Sequence, residues 1–239
     1  MIDDRRAVDM IPRRVLLLLL TILLSGLHAL PASAADQVGV VRVIRGEVQA
    51  QVPGEALRQL QRGDAIFEGD HISTGDSARI AMRFNDNSRM DLGPGTETVI
   101  EEFANADSGR APGFTTRILR GAFRFVSGLI GKRRPRSVRV RVPVATIGIR
   151  GTHFAGEVDG TYARVVLLEP EEDDELTAIE VSNQFGSVVI DQPNFGTEIP
   201  DDQSPPSPVR RMQLRTVQDM LRSIRSIQRV NPGRMGIRR

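Results

Sequence analysis

The sequence contains no cysteine and no tryptophan, one tyrosine and three histidines. Without cysteine there is no disulfide framework, no thiolate nucleophile and no thiolate metal ligand. Aromatic residues make up only 4% of the chain, so an aliphatic core is expected. His28 lies in a segment expected to be removed, and His71 and His153 are far apart. No pair of histidines has metal-ligand spacing, and no G-x-S-x-G or H-E-x-x-H run occurs. Carboxylates are numerous, but no pattern singles out an acid–base pair. These absences point away from an enzyme and imply no cofactor and no metal.

What is present is asymmetric in charge. The net charge of +2 conceals nine Arg and one Asp in residues 209–239, so an acidic body carries a basic tail. The positive balance is therefore not the mark of a nucleic-acid-binding fold. At the other end, Arg13 and Arg14 precede an apolar run at 15–24, and Ala32-Ser33-Ala34 follows as an A-x-A cleavage site. Residues 1–34 read as a secretory signal peptide, placing the mature protein in the periplasm or outside the cell. The alternative is an uncleaved anchor, although the run is short beside the ~20 residues that span a bilayer. No other segment is apolar enough to cross a membrane.

Residues 36–199 read as short strands between turns. Ala78, Ile80, Met82 and Phe84 share one face, with Arg79 and Arg83 on the other, the period-2 pattern of a half-buried strand. Asn85-Asp86-Asn87 and Pro94-Gly95 are turns. Gly63-Asp64, Gly69-Asp70 and Gly75-Asp76 recur at six-residue intervals. Glycine supplies left-handed backbone and aspartate accepts from nearby amides, so these read as tight turns. Calcium is the sharper alternative, but the paired glycines and nine-residue period of calcium-binding β-rolls are missing.

Residues 104–113 form a loop, and 114–126 a strand with Gly121 as a bulge. Lys132, Arg133, Arg134 and Arg136 fall in a basic loop and, with Arg139 and Arg141, make the densest positive patch of the body. A solvated strand face is one reading; docking to an acidic partner or an anionic envelope polymer is the other. Nucleic acid is not expected, because no aromatic residues interleave for base stacking.

Residues 142–154 (VPVATIGIRGTHF) organise the rest. A strict apolar/basic alternation at 138–142 leads in, and Asp159-Gly160 behind it signals a hairpin between 152–158 and 161–168. Gly148 and Gly151 suggest tight bends or close backbone approach. Arg150, the only charge in the stretch, needs a carboxylate partner if buried, with Asp70, Asp86 and Asp91 as candidates. The alternative is recognition of a ligand's or partner's carboxylate.

Beyond it come an acidic loop at 169–175 and a β extension over 161–199. A proline-rich linker at 200–208 is expected as an extended spacer. Residues 209–230 then follow helical spacing, with Val217, Met220, Leu221, Ile224 and Ile227 on one stripe. Arg222, Arg225 and Arg229 fall largely off it. Asn231-Pro232-Gly233 stops the helix, leaving a basic tail at 231–239. The apolar stripe could pack on the body, on a partner or on an anionic membrane surface.

Five stretches in order resemble FecR-type domains: 39–46 (GVVRVIRG), 60–75 (LQRGDAIFEGDHISTG), 80–92 (IAMRFNDNSRMDL), 119–126 (LRGAFRFV) and 143–154 (PVATIGIRGTHF). Gly148, Arg150, Gly151, Thr152 and Phe154 are the signature positions. The resemblance implies a cell-envelope role; in that family a periplasmic part senses a receptor and a cytoplasmic part controls a sigma factor. No cytoplasmic region of that kind is evident here. The expectation is an all-β body, a compact sandwich or short β-helical roll, with a FecR-like domain at 36–160 and a C-terminal amphipathic helix. Its expected function is a non-enzymatic, exported interaction module that binds an envelope protein through a β-edge or surface. The alternatives are a membrane-anchored signal relay, a structural or adhesive envelope protein, and an envelope-polymer hydrolase.

Overall fold

The computed structural model describes residues 35–105, 108–170 and 178–225. The expected signal peptide, most of the acidic loop, Arg229 and the basic tail lie outside them. The first strands are β1 (Gln37–Arg45), β2 (Val48–Gln51), β3 (Arg58–Gln59), β4 (Ala65–Phe67), β5 (His71–Thr74), β6 (Arg79–Phe84), β7 (Arg89–Leu92) and β8 (Glu97–Ala104). The long β9 (Gly113–Val126) and a short helix α1 (Leu129–Arg133) follow. Then come β10 (Val138–Val142), β11 (Ala145–Ile149), β12 (His153–Asp159), β13 (Tyr162–Leu167), β14 (Ile179–Asn183) and β15 (Gly186–Ile190). The described chain ends with β16 (Phe195–Ile199), β17 (Arg210–Arg211) and helix α2 (Leu214–Arg225).

Pairing sorts these strands into two ladders that share one member. The first sheet runs β4-β1-β6-β7-β9-β12-β13-β16-β17. The second runs β3-β2-β5-β8-β9-β10-β11-β14-β15. All pairs are antiparallel except β9–β10. The N-terminal half of β9 belongs to the second sheet and residues 121–126 to the first. The change falls at Gly121, whose φ of 94° only glycine adopts without strain. A Cβ there would lie 2.6 Å from the Thr96 Cα. The expected bulge is thus the pivot of the molecule.

Inward side chains of both sheets fill one core, from Val41 and Ile66 through Ile100 and Val140 to Val181 and Ile199. The core is less aliphatic than composition suggested. Of the nine phenylalanines, Phe84, Phe103, Phe114, Phe125, Phe154 and Phe123 form a chain of ring contacts through it. A low aromatic content concentrated at inward positions still makes an aromatic spine.

A second, smaller cluster lies on the outer side of the first sheet. Ala155, Val166 and Leu168 meet Val217, Met220 and Ile224 of α2 there. The apolar stripe of the helix therefore covers the protein's own sheet. The helix begins at Leu214, because residues 209–213 carry the short β17. Residues 200–208 are not a free spacer. The Ser207 N–H donates to the Glu198 carbonyl, Thr197 Oγ1 donates to the Ser207 carbonyl at 2.6 Å, and Asn183 Nδ2 donates to the Ser204 carbonyl at 2.8 Å. The β12–β13 hairpin forms as expected, one residue out of the expected register. Asp159 pairs with Tyr162, leaving Gly160 (φ 58°) and Thr161 as the loop.

Candidate functional site: the signature crossing and the open sheet face

The signature stretch is a hairpin followed by a change of sheet. β10 and β11 turn at Pro143-Val144 in the second sheet, and the chain then crosses to β12 in the first. Arg150-Gly151-Thr152 make the crossing. Gly151 has φ 72°, and no atom lies closer than 3.7 Å to where its Cβ would be. Glycine is required there by conformation and not by space.

The crossing is clamped to the end of β9. The Ser127 N–H donates to the Thr152 carbonyl at 3.0 Å, and the Thr152 N–H donates to Ser127 Oγ at 3.0 Å. Thr152 and His153 are buried. The Nδ1–H of His153 donates to the Glu169 carbonyl at 2.7 Å, and Nε2 accepts from Arg124 Nε at 2.7 Å. A carbonyl can only accept, which sets the tautomer. Arg124 in turn binds Asp91 at 3.0 Å. Phe154 is fully buried and touches Phe123 and Phe125. These groups hold backbone and core together. His71 is exposed on β5, and nothing brings it to His153.

Beside the crossing, Asp86 organises α1. Its carboxylate accepts from the Ser88 N–H and hydroxyl, and its carbonyl accepts from the Leu129 N–H at 2.7 Å. The basic run expected as a loop therefore starts as this short helix, with Lys132 and Arg133 in its last turn. Arg134 and Arg136 follow, and all four side chains are exposed.

Arg150 is not buried. Its side chain is 40% exposed, and its carboxylate neighbour is Glu180 of β14 at 4.0 Å. None of the three expected aspartates serves it. Asp70 is fully buried and binds Arg58, Asp91 binds Arg124, and Asp86 holds α1. Gly148 departs from expectation as well. It sits in regular strand, and the nearest atom to its missing Cβ is the Glu180 carbonyl at 3.9 Å.

The Gly-Asp turns are built largely as read. Gly63 and Gly69 have φ of 94° and 87°, whereas Gly75 lies outside the left-handed region. Asp64 accepts from the Gln61 N–H and Asp70 from the Phe67 N–H, each at 2.8 Å. Arg222 is exposed on α2 beside Asp219 at 3.2 Å, and Arg225 closes that helix.

Sequence reasoning missed the polar row on the outer face of the second sheet. The register aligns Val189, Glu180, Gly148, Arg139 and Thr115 across five strands. The next row aligns Ser182, Thr146, Arg141 and Arg117. Glu101 binds both Arg117 and Arg141, at 2.5 and 3.2 Å. The alternation at 138–142 announced an outward basic face; only the register reveals its neighbours.

No curated protein matches the chain. Two crystal structures, at 2.50 and 1.65 Å, of a protein from Parabacteroides distasonis ATCC 8503 described as a proposed anti-sigma factor are similar in part. Their TM-scores are 0.48 and 0.47, at 15% and 13% identity, over 63% of this chain. The chain spans 63% and 64% of the length of those structures. A family model described as FecR protein matches residues 70–171, from the buried Asp70 through both halves of β9 and the crossing to the end of β13 and just beyond. Over residues 70–171 the chain carries a FecR-type domain.

Proposed function

We propose that this protein is an exported, non-enzymatic FecR-like module of the bacterial cell envelope that binds a protein partner by strand or surface contact. One observation carries the reading. Among the described residues the second sheet ends on β15, five uncharged residues that pair on one side with β14. The other sheet-edge strands among the described residues are β3, β4 and β17, of two, three and two residues. An uncharged edge of this length is a template for an incoming strand. Val189 on it is 48% exposed.

A photo-crosslinking amino acid in place of Val189, irradiated in intact cells, tests this. The expected result is one discrete protein adduct, absent when the same residue replaces Arg215 on the exposed side of α2. No adduct at Val189, or equal labelling at both sites, counts against the reading.

The family match favours a second, more specific version: a periplasmic relay that reports to a sigma-factor regulator. The two versions differ at the N-terminus. A mature chain beginning near Ala35 by mass spectrometry fits a released module, and an intact Met1 fits an anchored relay.

A further inference from the structure

We propose that the outer face of the second sheet, centred on Arg139 and Gly148, docks an acidic, extended segment of a protein partner. The inference rests on the protein-binding reading above and names where and by what chemistry binding occurs.

The two sheets differ on their outer sides. α2 packs on β9 and β12 and closes that part of the first sheet. On the second sheet Arg139 and Arg141 are exposed, and Thr146, Gly148 and Ser182 are half-buried.

Charge selects the occupant. Arg117, Arg120 and Arg141 are matched by Glu97 and Glu101, with Glu101 serving two of them, and Arg150 lies beside Glu180. Arg139 has no carboxylate within 4 Å among the described residues. Arg133, Arg134 and Arg136, exposed just before β10, add three more cations. Positive surplus at the centre of an otherwise matched face is complementary to an acidic partner.

Spacing selects the conformation. Arg139 and Arg141 stand two residues apart on one strand, on the same face, about 7 Å from each other. Alternate carboxylates of an extended peptide repeat at the same distance, so such a segment lying along β10 can meet both guanidiniums.

Gly148 supplies the approach. Glycine weakens a strand interior, and here neither φ nor a close neighbour demands it. Its vacant side-chain position lies in register between Arg139 and Glu180 on the outward side. That leaves the backbone open to another chain beside the unmatched arginine.

The test measures binding of fluorescein-labelled (Val-Glu)5 to the mature chain by anisotropy, with (Val-Ser)5 and (Val-Lys)5 as controls. The expected result is salt-sensitive binding of (Val-Glu)5 alone. Arg139→Glu weakens it about tenfold, the scale of one charged hydrogen bond. Gly148→Val weakens it by a similar factor while leaving the thermal midpoint unchanged or higher, because valine suits a strand and its Cβ has room. Equal binding of (Val-Ser)5, or unchanged affinity in either variant, overturns the proposal. Arg139-dependent binding to phosphatidylglycerol vesicles without peptide binding overturns it in favour of a lipid surface. If Val189 crosslinks to a protein while (Val-Glu)5 fails to bind, this inference falls and the protein-binding reading stands.

Discussion

At the scale of the residue, the glycines differ in how strongly the fold needs them. Gly121 has a left-handed φ and a Thr96 backbone within clash distance, so alanine there meets both penalties. We expect Gly121→Ala to cost on the order of 4 kcal/mol in urea denaturation. Gly151→Ala faces only the conformational penalty, about 1–2 kcal/mol. Equal losses at the two positions would mean that the close contact with Thr96 relaxes freely. The Gly-Asp pairs announced two left-handed turns correctly because a turn's chemistry is local. Arg124, His153 and Asp91 could not be joined from sequence. They come from β9, β12 and β7, and only the ladders bring them together. The Arg150 partner was missed for the same reason. Glu180 pairs with Gly148, two residues before Arg150, in a β11–β14 register that no local pattern encodes.

At the scale of the element, α2 shows which half of an amphipathic pattern is legible. The stripe Val217, Met220, Leu221 and Ile224 was evident from helical spacing, but its counterpart was overlooked. The run Val165-Val166-Leu167-Leu168 is apolar at every position, where a strand with one wet face would alternate. Val165 and Leu167 enter the main core, and Val166 and Leu168 meet the helix. A strand buried on both sides was thus already a sign that something covers the outer face. Ile224, 1% exposed, is the most buried of the described helix residues in that contact. Ile224→Asp removes its burial and places a carboxylate against Gly93 and the first sheet, at a cost of roughly 3–5 kcal/mol to docking. The expected outcome is rapid tryptic cleavage after Arg215 and Arg222 with the β-sheet circular dichroism retained. Loss of the sheet signal together with the helix would show instead that the sandwich depends on α2.

At the scale of the whole molecule, β9 makes the two sheets one cooperative body, since neither can lose it without opening the other. The end of the β8–β9 connection, at Arg110, is therefore a place where a local tie supports the whole. Arg110 grips Glu68 there with two hydrogen bonds, at 3.0 and 2.6 Å, and also donates to the Phe103 carbonyl. The Phe103 N–H donates back to Glu68. The Arg110 hydrogen bonds, aided by that amide, hold the Glu68 carboxyl below its ordinary value of 4.5, against the opposing effect of burial. A carboxyl whose folded value is depressed contributes stability above its unfolded value and loses it as pH falls through the folded one. The tie is partly open to solvent, so its contribution is about 1 kcal/mol. Thermal midpoints of the native chain and Glu68→Gln, measured from pH 7 downward, should differ by a constant amount at neutral pH. The gap should begin to close below pH 4.5 and vanish once Glu68 is protonated in both states. A gap that stays constant into the acid range would place the stabilising effect in the shape of the side chain and not in its charge.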